Sequence, residues 1–244
     1  MQKKRITSGI IKGILLILFI LNSWPVLARP GIIFQSSGNE NPKKKSADQT
    51  GLHEKKRLKI LKNMEKVMGK LPDRSDLPAF DIQITDSVSE AGFTRYTLSF
   101  TVAENERLPV YLYVPKQSGT IKRLPAMLVL HGTHDLGKGV VDGQGDKPNR
   151  AHARELAQRG YVVIAPDYPS FGDLKDHDFE TDRYKSASMQ AIFNHMRCVD
   201  LLQSRTDVDP DKIGVIGHSL GGHNSMFVAA FDTRLKVTVS SSGW

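Results

Sequence analysis

The feature that most constrains this 244-residue chain is the stretch KIGVIGHSLGG at residues 212–222. Residues 212–216 form an apolar, β-branched run that is typical of a buried strand. The pattern Gly-x-Ser-x-Gly around Ser219 comes next, and an amphipathic helical stretch begins at His223. A serine in a sharp strand-to-helix turn has a strained backbone and a raised hydroxyl, and its flanking glycines avoid collisions. The spacing predicts a nucleophile at Ser219; the alternative is a glycine-rich loop with an incidental serine.

Three blocks of the sequence resemble the α/β-hydrolase superfamily, on its dienelactone hydrolase and acetyl-xylan-esterase side. They are LPAMLVLHGT, GYVVIAPDYPSFG and DPDKIGVIGHSLGG, and the resemblance covers about residues 108–244. It implies an α/β-hydrolase fold with a mostly parallel sheet and helices on both faces. It also implies a serine esterase that forms an acyl-enzyme on Ser219 and acts on small-molecule or carbohydrate esters.

Ester cleavage by serine also needs hydrogen-bond donors for the developing oxyanion. The backbone N–H of Leu220, directly after the nucleophile, is the first expected donor. The resemblance places the second donor in the loop after His131-Gly132. Thr133 is the best match for it, and Gly132 is the alternative.

The base and the acid of the catalytic triad are not evident in the sequence. In this fold the acid and then the histidine follow the serine along the chain. The 25 residues after Ser219 contain one acid, Asp232, and one histidine, His223, which its helix should carry away from the site. Structural or remote roles are expected for the other candidates: His131, His134, His195, His218 and Asp167. We therefore expect the triad partners beyond Trp244 and the last strands and helices to be missing; an inactive fragment is the alternative.

The N-terminal third divides into three segments before the hydrolase domain, which is predicted at 80–244. Residues 1–28 have the charged start, short apolar core and small-residue end of a secretory signal peptide, which predicts export. The alternative is an uncleaved membrane anchor. Residues 29–51 are predicted to be a disordered linker, and residues 52–79 a basic helix and lead-in. That helix is expected to pack on the domain; a membrane-surface role is the alternative.

The strand and helix pattern of the domain follows the hydrophobic periodicity. Alternating residues at 82–84, 95–102 and 108–114 predict antiparallel opening strands. Later strands are predicted at 126–130, 161–165, 212–216 and 235–239, with helices at 151–159, 183–203 and 223–231. The glycine-rich loop at 133–149 is long enough that a functional or mobile role is expected.

Charge and composition exclude several classes of function. The formal net charge is +8, but residues 1–70 hold 15 basic against 4 acidic residues, and residues 71–244 hold 19 against 22. A slightly acidic domain argues against nucleic-acid binding. No cofactor or metal is expected, because Asp207, Asp209 and Asp211 fit turn capping and no zinc spacing exists. The single cysteine, Cys198, is expected in the core. A prolyl-oligopeptidase-like peptidase is a second alternative, but residues 29–107 show no propeller repeats.

Overall fold

The computed structural model describes residues 42–116, 123–180 and 183–243; the side chains of residues 42–50 and of Pro148 are not described. The predicted signal peptide and the predicted linker up to residue 41 lie outside these ranges. The chain from Ser46 onward forms one compact unit. Within the described ranges, no helix has the length and apolar character needed to span a membrane.

The described residues form four α-helices and seven strands, and from β4 onward strands and helices alternate. The helices are α1 (Pro42–Met68), α2 (His152–Gln158), α3 (Ala187–Ser204) and α4 (Leu220–Phe231). The strands are β1 (Gln83–Ser89), β2 (Phe93–Ala103), β3 (Glu106–Pro115), β4 (Leu124–Leu130), β5 (Val162–Pro166), β6 (Val208–His218) and β7 (Leu235–Ser241). Short 3₁₀ helices lie at Gly137–Asp142, Pro148–Arg150 and Gly172–Leu174.

The strands form a single sheet in the order β1-β2-β3-β5-β4-β6-β7. The neighbours β5-β4, β4-β6 and β6-β7 are parallel. The neighbours β1-β2, β2-β3 and β3-β5 are antiparallel, as expected for the opening strands. Half of the strand pairs of the described sheet are therefore parallel, rather than most of them. The reason is that β1, β2 and β3 follow one another as antiparallel neighbours and that β3 runs opposite to β5.

The sheet has an apolar core on each face, which is the layered arrangement that βα alternation predicts. One core packs α3 and α4 residues such as Phe193 and Val228 against sheet residues such as Leu128 and Val215. The other packs Ala153 and Ala157 of α2 against Val129 and Val163. Alternate residues of β4 and β5 thus face opposite helical layers, which explains why both strands are continuous apolar runs.

Two segments differ from the sequence-based prediction. Helix α1 begins at Pro42, so the last ten residues of the predicted linker, 42–51, are helical. Proline is favoured in the first turn of a helix, and the lysines and alanine that follow have good helix propensity. The segment 133–149 is also not an irregular loop, since two 3₁₀ helices occupy half of it and residues 137–142 are buried.

Strand β7 forms one margin of the sheet among the described strands, with β6 as its neighbour. Its residues Val237 and Val239 are 57% and 41% exposed. They are register partners of Gly214 and Ile216 in β6 and therefore lie on the same face of the sheet as those residues.

Candidate active site

Ser219 occupies a strained turn between β6 and α4. Its backbone dihedrals are φ 55° and ψ −117°, a conformation that non-glycine residues rarely adopt. The turn is closed by two backbone hydrogen bonds. Ser219 N donates to the Ser241 carbonyl at 2.8 Å, and His223 N donates to the Ser219 carbonyl at 3.0 Å. The strand, the turn and the helix thus have the order that the sequence predicts for a nucleophile elbow.

The two glycines that flank Ser219 are required by close backbone contacts. A Cβ on Gly217 would lie 2.0 Å from the Gly221 carbonyl oxygen. A Cβ on Gly221 would lie 2.1 Å from the Leu130 carbonyl oxygen. Real Cβ atoms do not approach backbone oxygens that closely, so any side chain at either position would force the turn apart.

The two predicted oxyanion donors, the backbone N–H groups of Leu220 and Thr133, belong to segments next to Ser219. Leu220 is the first residue of α4, and the N–H groups of a first helical turn have no intrahelical acceptor. Gly132 lies against the elbow, since a Cβ on it would be 3.6 Å from Ser219 Cβ. The peptide that joins Gly132 to the exposed Thr133 therefore lies at the site. The assignment of Thr133 as the second donor stays a prediction.

His131 is hydrogen-bonded on both sides of its ring next to this peptide. Its Nδ1 lies 2.7 Å from the Gly132 carbonyl oxygen, and its Nε2 accepts from Tyr168 N at 3.0 Å. These partners require a neutral ring with the proton on Nδ1. Burial lowers the pKa of His131, which favours the same neutral form. His131 therefore holds the loop that begins at Gly132, which we call the oxyanion loop, against the segment that follows β5. This is the structural role expected from the sequence.

The segment after the oxyanion loop is fixed by a buried carboxylate. Asp167 accepts hydrogen bonds from Lys138 N at 2.7 Å and Lys138 Nζ at 2.5 Å. It also accepts from Asp173 N at 3.0 Å. Asp167 therefore has a structural role, and the Gly137–Asp142 turn is held to the end of β5.

No described histidine is hydrogen-bonded to Ser219. His223 is exposed on α4 and stacks on Phe227, with ring centroids 6.2 Å apart. His218 Nδ1 lies 3.2 Å from Ser241 Oγ. His134 Nδ1 accepts from Leu136 N, and burial lowers the pKa of His195 to about 3. The described residues therefore bring the predicted nucleophile close to the segments that carry its predicted oxyanion donors, and no described histidine is hydrogen-bonded to it as a base.

A cleft of about 480 Å³ adjoins the elbow through Gly132, Gly217 and His218. Its wall carries the cationic side chains of Lys147 and Arg150, and no described aspartate or glutamate lines it. His152, the first residue of α2, also lines the cleft.

Sequence reasoning missed His152 as a site residue. Its Nε2 is buried without a hydrogen-bond partner among the described atoms, and burial lowers its pKa. No local pattern marks this histidine, because its position depends on how residues 133–149 fold back over the sheet.

Three further predictions concern the aspartates at 207, 209 and 211, a metal site and the cysteine. Asp209 Oδ1 accepts from Asp211 N at 3.1 Å, which is turn capping, whereas Asp207 forms an ion pair with Arg205. Among the described residues, no group of histidine, cysteine, aspartate and glutamate side chains is arranged to hold a metal ion. Cys198 is buried in the α3 core.

The chain is similar to several known proteins over the region that contains this site. It is 32% identical over 189 residues to the "Putative hydrolase YtaP" of Bacillus subtilis, with 73% of this chain and 61% of that protein covered. It is 24% identical to the "Carbohydrate esterase MZ0003" of an unknown prokaryotic organism, over 78% of this chain and 53% of that protein. The chain therefore spans between half and two thirds of the length of these two relatives.

Structure comparison and family comparison agree. A solved structure of a "putative acetyl xylan esterase" from Bacteroides fragilis superposes with a TM-score of 0.61 at 20% identity, and covers 75% of this chain and 51% of its own. This likeness confirms the α/β-hydrolase fold. The dienelactone hydrolase family model matches residues 108–243, which include Gly132, Ser219 and Leu220. Because that match covers more than half of the sequence, the chain belongs to the dienelactone hydrolase family.

Proposed function

We propose that this chain carries the nucleophile and the oxyanion hole of a serine hydrolase that cleaves carboxylic esters. The observation that carries the proposal is the conformation of Ser219, at φ 55° and ψ −117° between β6 and α4. Such a backbone costs about 1–3 kcal/mol and persists where the surrounding structure enforces it, most often at active sites. Membership of the dienelactone hydrolase family supports the ester class.

In the proposed reaction, Ser219 Oγ attacks the carbonyl carbon of the ester and forms a tetrahedral intermediate. The Leu220 N–H and the Thr133 N–H donate to its oxyanion. When the intermediate collapses, the C–O bond to the alcohol breaks, and the alcohol leaves with the proton that the serine gave up. Water then attacks the acyl-enzyme, releases the acid and restores the hydroxyl. Each oxyanion donor is worth about 100- to 1000-fold in rate.

We propose further that the proton acceptor for Ser219 comes from outside the described residues. The hydrogen bonds of His131 and the helix position of His223 leave neither ring directed to the serine. His195 belongs to α3 and is 2% exposed. An acid and a histidine that follow Ser219 along the chain would complete the triad of this fold.

For the substrate, we propose an ester of a carbohydrate. The names of the relative MZ0003 and of the similar Bacteroides structure point to such esters. The cleft supports this choice because Lys147, Asn149 and Arg150 supply hydrogen-bond donors for hydroxyl oxygens along its wall.

The experiment that tests the nucleophile is labelling with a fluorophosphonate, together with hydrolysis of p-nitrophenyl acetate. With added imidazole as the base, we expect labelling at Ser219, and we expect Ser219→Ala to reduce the hydrolysis rate to that of imidazole alone. Ser204→Ala is the control, since this serine lies at the C-terminal end of α3 and bonds Leu201 O. Added imidazole should raise the rate of the unmodified chain but not that of Ser219→Ala, if the base alone is lacking.

Two results would contradict this proposal. Hydrolysis equal to that of Ser219→Ala, with and without imidazole, would favour the non-catalytic alternative. Cleavage of a dipeptidyl anilide in preference to acetylated xylan would favour the peptidase alternative.

We also propose that the protein is exported after cleavage behind Ala28, as its N-terminal pattern predicts. N-terminal sequencing of the protein from the periplasmic or culture fraction should begin at Arg29. An intact N-terminus in the membrane fraction would favour the anchor.

A further inference from the structure

One side of helix α1 combines lysines with exposed aliphatic side chains. Leu52, Ile60 and Val67 on this side are 53%, 54% and 77% exposed, and Leu58, which is 55% exposed, lies on another side of the helix. At 3.6 residues per turn, residues spaced by 4, 7, 8, 14 and 15 positions from residue 52 share one side of a helix. Together with the exposed lysines at that spacing they form a surface that we call the α1 stripe: Leu52, Lys56, Lys59, Ile60, Lys66 and Val67.

The opposite side of α1 is fixed to the domain, so the α1 stripe faces away from it. Arg57 donates to the carbonyl oxygens of Ala230 and Phe231 at the end of α4, at 3.1 and 3.2 Å. Met68 packs against the core, and its carbonyl oxygen accepts from Ser186 Oγ at 2.8 Å. These contacts hold the helix in one rotation about its axis.

The charges on α1 are divided between the same two sides. Glu54 pairs with Arg57 at 3.1 Å, and Glu65 accepts from Leu71 N at 3.1 Å, so both carboxylates are engaged away from the α1 stripe. Lys55 and Lys62 are exposed along one margin of the stripe. Among the described residues, no ion pair neutralises the lysines at 55, 56, 59, 62 and 66. The surface is therefore strongly cationic over about 22 Å of helix.

We propose that the α1 stripe binds the surface of an anionic phospholipid bilayer, with the helix lying in the plane of the membrane. Leucine, isoleucine and valine side chains are stabilised when they enter the region between the lipid headgroups and the acyl chains. Lysine side chains extend along the surface to the lipid phosphates. A soluble polyanion such as a nucleic acid would be attracted by the lysines, but it would leave the three aliphatic side chains in water. The combination of both residue types on one side of a fixed helix favours the bilayer.

The first experiment measures co-sedimentation of the full chain with vesicles of phosphatidylcholine containing 30% phosphatidylglycerol. The charge variant is Lys56→Gln, Lys59→Gln and Lys66→Gln; the apolar variant is Leu52→Gln, Ile60→Gln and Val67→Gln. A lysine near an anionic surface raises the binding constant about fivefold, so we expect the affinity of the charge variant for the vesicles to fall about 100-fold. The affinity of the apolar variant should fall at least tenfold. The control, Lys116→Gln with Lys175→Gln and Lys236→Gln, removes three exposed lysines elsewhere and should lose less than threefold.

A second measurement separates the α1 stripe from the N-terminal segment, which could itself bind vesicles. Val67→Cys and Lys175→Cys each carry an environment-sensitive fluorophore; Cys198 is fully buried and should not react. We expect a blue shift of emission on anionic vesicles at position 67 but not at position 175.

Three outcomes would overturn the proposal. The first is no blue shift at position 67, or the same shift at both positions. The second is vesicle binding that neither variant weakens. The third is binding to heparin or DNA that matches vesicle binding and is unaffected by the apolar variant, which would assign the surface to soluble polyanions.

Discussion

Lys138 and Asp167 form an ion pair that is almost wholly removed from water, with Nζ 2.5 Å from Oδ2 and side chains 4% and 0% exposed. The two residues are 29 positions apart and belong to the segment after the oxyanion loop and to the end of β5. Asp173, 65% exposed, pairs with the same ammonium at 2.6 Å. The pair therefore fixes the wall of the cleft to the sheet from inside.

Lys138→Met should destabilise the fold by about 3–5 kcal/mol, because it leaves the buried Asp167 carboxylate without a counter-charge. Urea denaturation measures the difference. Lys175→Met, at an exposed lysine, is the matched control and should change the free energy of unfolding by less than about 0.5 kcal/mol. A decrease in the free energy of unfolding below about 1 kcal/mol for Lys138→Met would show that the ion pair does not hold this segment to the sheet.

Ser219→Gly should stabilise the protein by about 1 kcal/mol while it removes the proposed nucleophile. Glycine adopts positive φ without the clash that a Cβ causes, so the substitution releases the strain at φ 55°. Ser219→Ala keeps the Cβ and should leave the melting temperature near that of the original chain. Calorimetry of both variants distinguishes the effect of the backbone from that of the hydroxyl, and equal melting temperatures would contradict the strain.

Gly217→Ala should prevent stable folding of the elbow, with a loss of several kcal/mol, since its Cβ would lie 2.0 Å from the Gly221 carbonyl oxygen. The matched control is Gly51→Ala in α1, where a Cβ would meet no atom within 4 Å. That substitution should raise the free energy of unfolding by about 0.5–1 kcal/mol, because alanine has a higher helix propensity than glycine. Thermal denaturation of the two variants should therefore show shifts of opposite sign.

The fold should lose stability on acidification because of His195. Burial lowers its pKa to about 3, whereas an unfolded histidine titrates near pH 6.5. Between these values the unfolded chain binds a proton that the folded chain does not. The stabilisation is therefore complete above pH 6.5 and is lost as the pH falls towards 3.

Replacing this group should flatten the pH dependence. Between pH 6.5 and 4.5, His195→Leu should lose about 2 kcal/mol less free energy of unfolding than the original chain. Met196→Leu, a change on the same helix that removes no titratable group, should keep the original slope. The same slope in all three proteins would show that His195 does not titrate in this window.

The elbow was predictable because its causes are local. A β-branched run, a Gly-x-Ser-x-Gly turn and a helical stretch lie within twenty consecutive residues, and each leaves a pattern in the sequence. The sequence also indicates that a helix follows the serine closely, and α4 begins at Leu220, whereas the role of Leu220 as an oxyanion donor stays a prediction. The two-sided burial of β4 and β5 likewise appears as uninterrupted apolar runs.

The features that escaped prediction depend on contacts between distant segments. Nothing near Lys138 indicates that it pairs with Asp167, and glycine content made residues 133–149 resemble an irregular loop. The same folding brings His152 to the cleft. The start of α1 at Pro42 was missed because the residues there are polar on every side, so no apolar period marks the first turns of the helix.

Among the described strands β7 has a neighbour on one side only, and this has a consequence for handling these 244 residues in solution. Backbone N–H and C=O groups along Leu235–Ser241 that do not pair with β6 form a row available to any extended polypeptide, whatever its sequence. Val237 and Val239 offer an apolar surface beside that row. Concentrated preparations should therefore self-associate through added strands, and a lysine at either valine should keep the chain monomeric for longer.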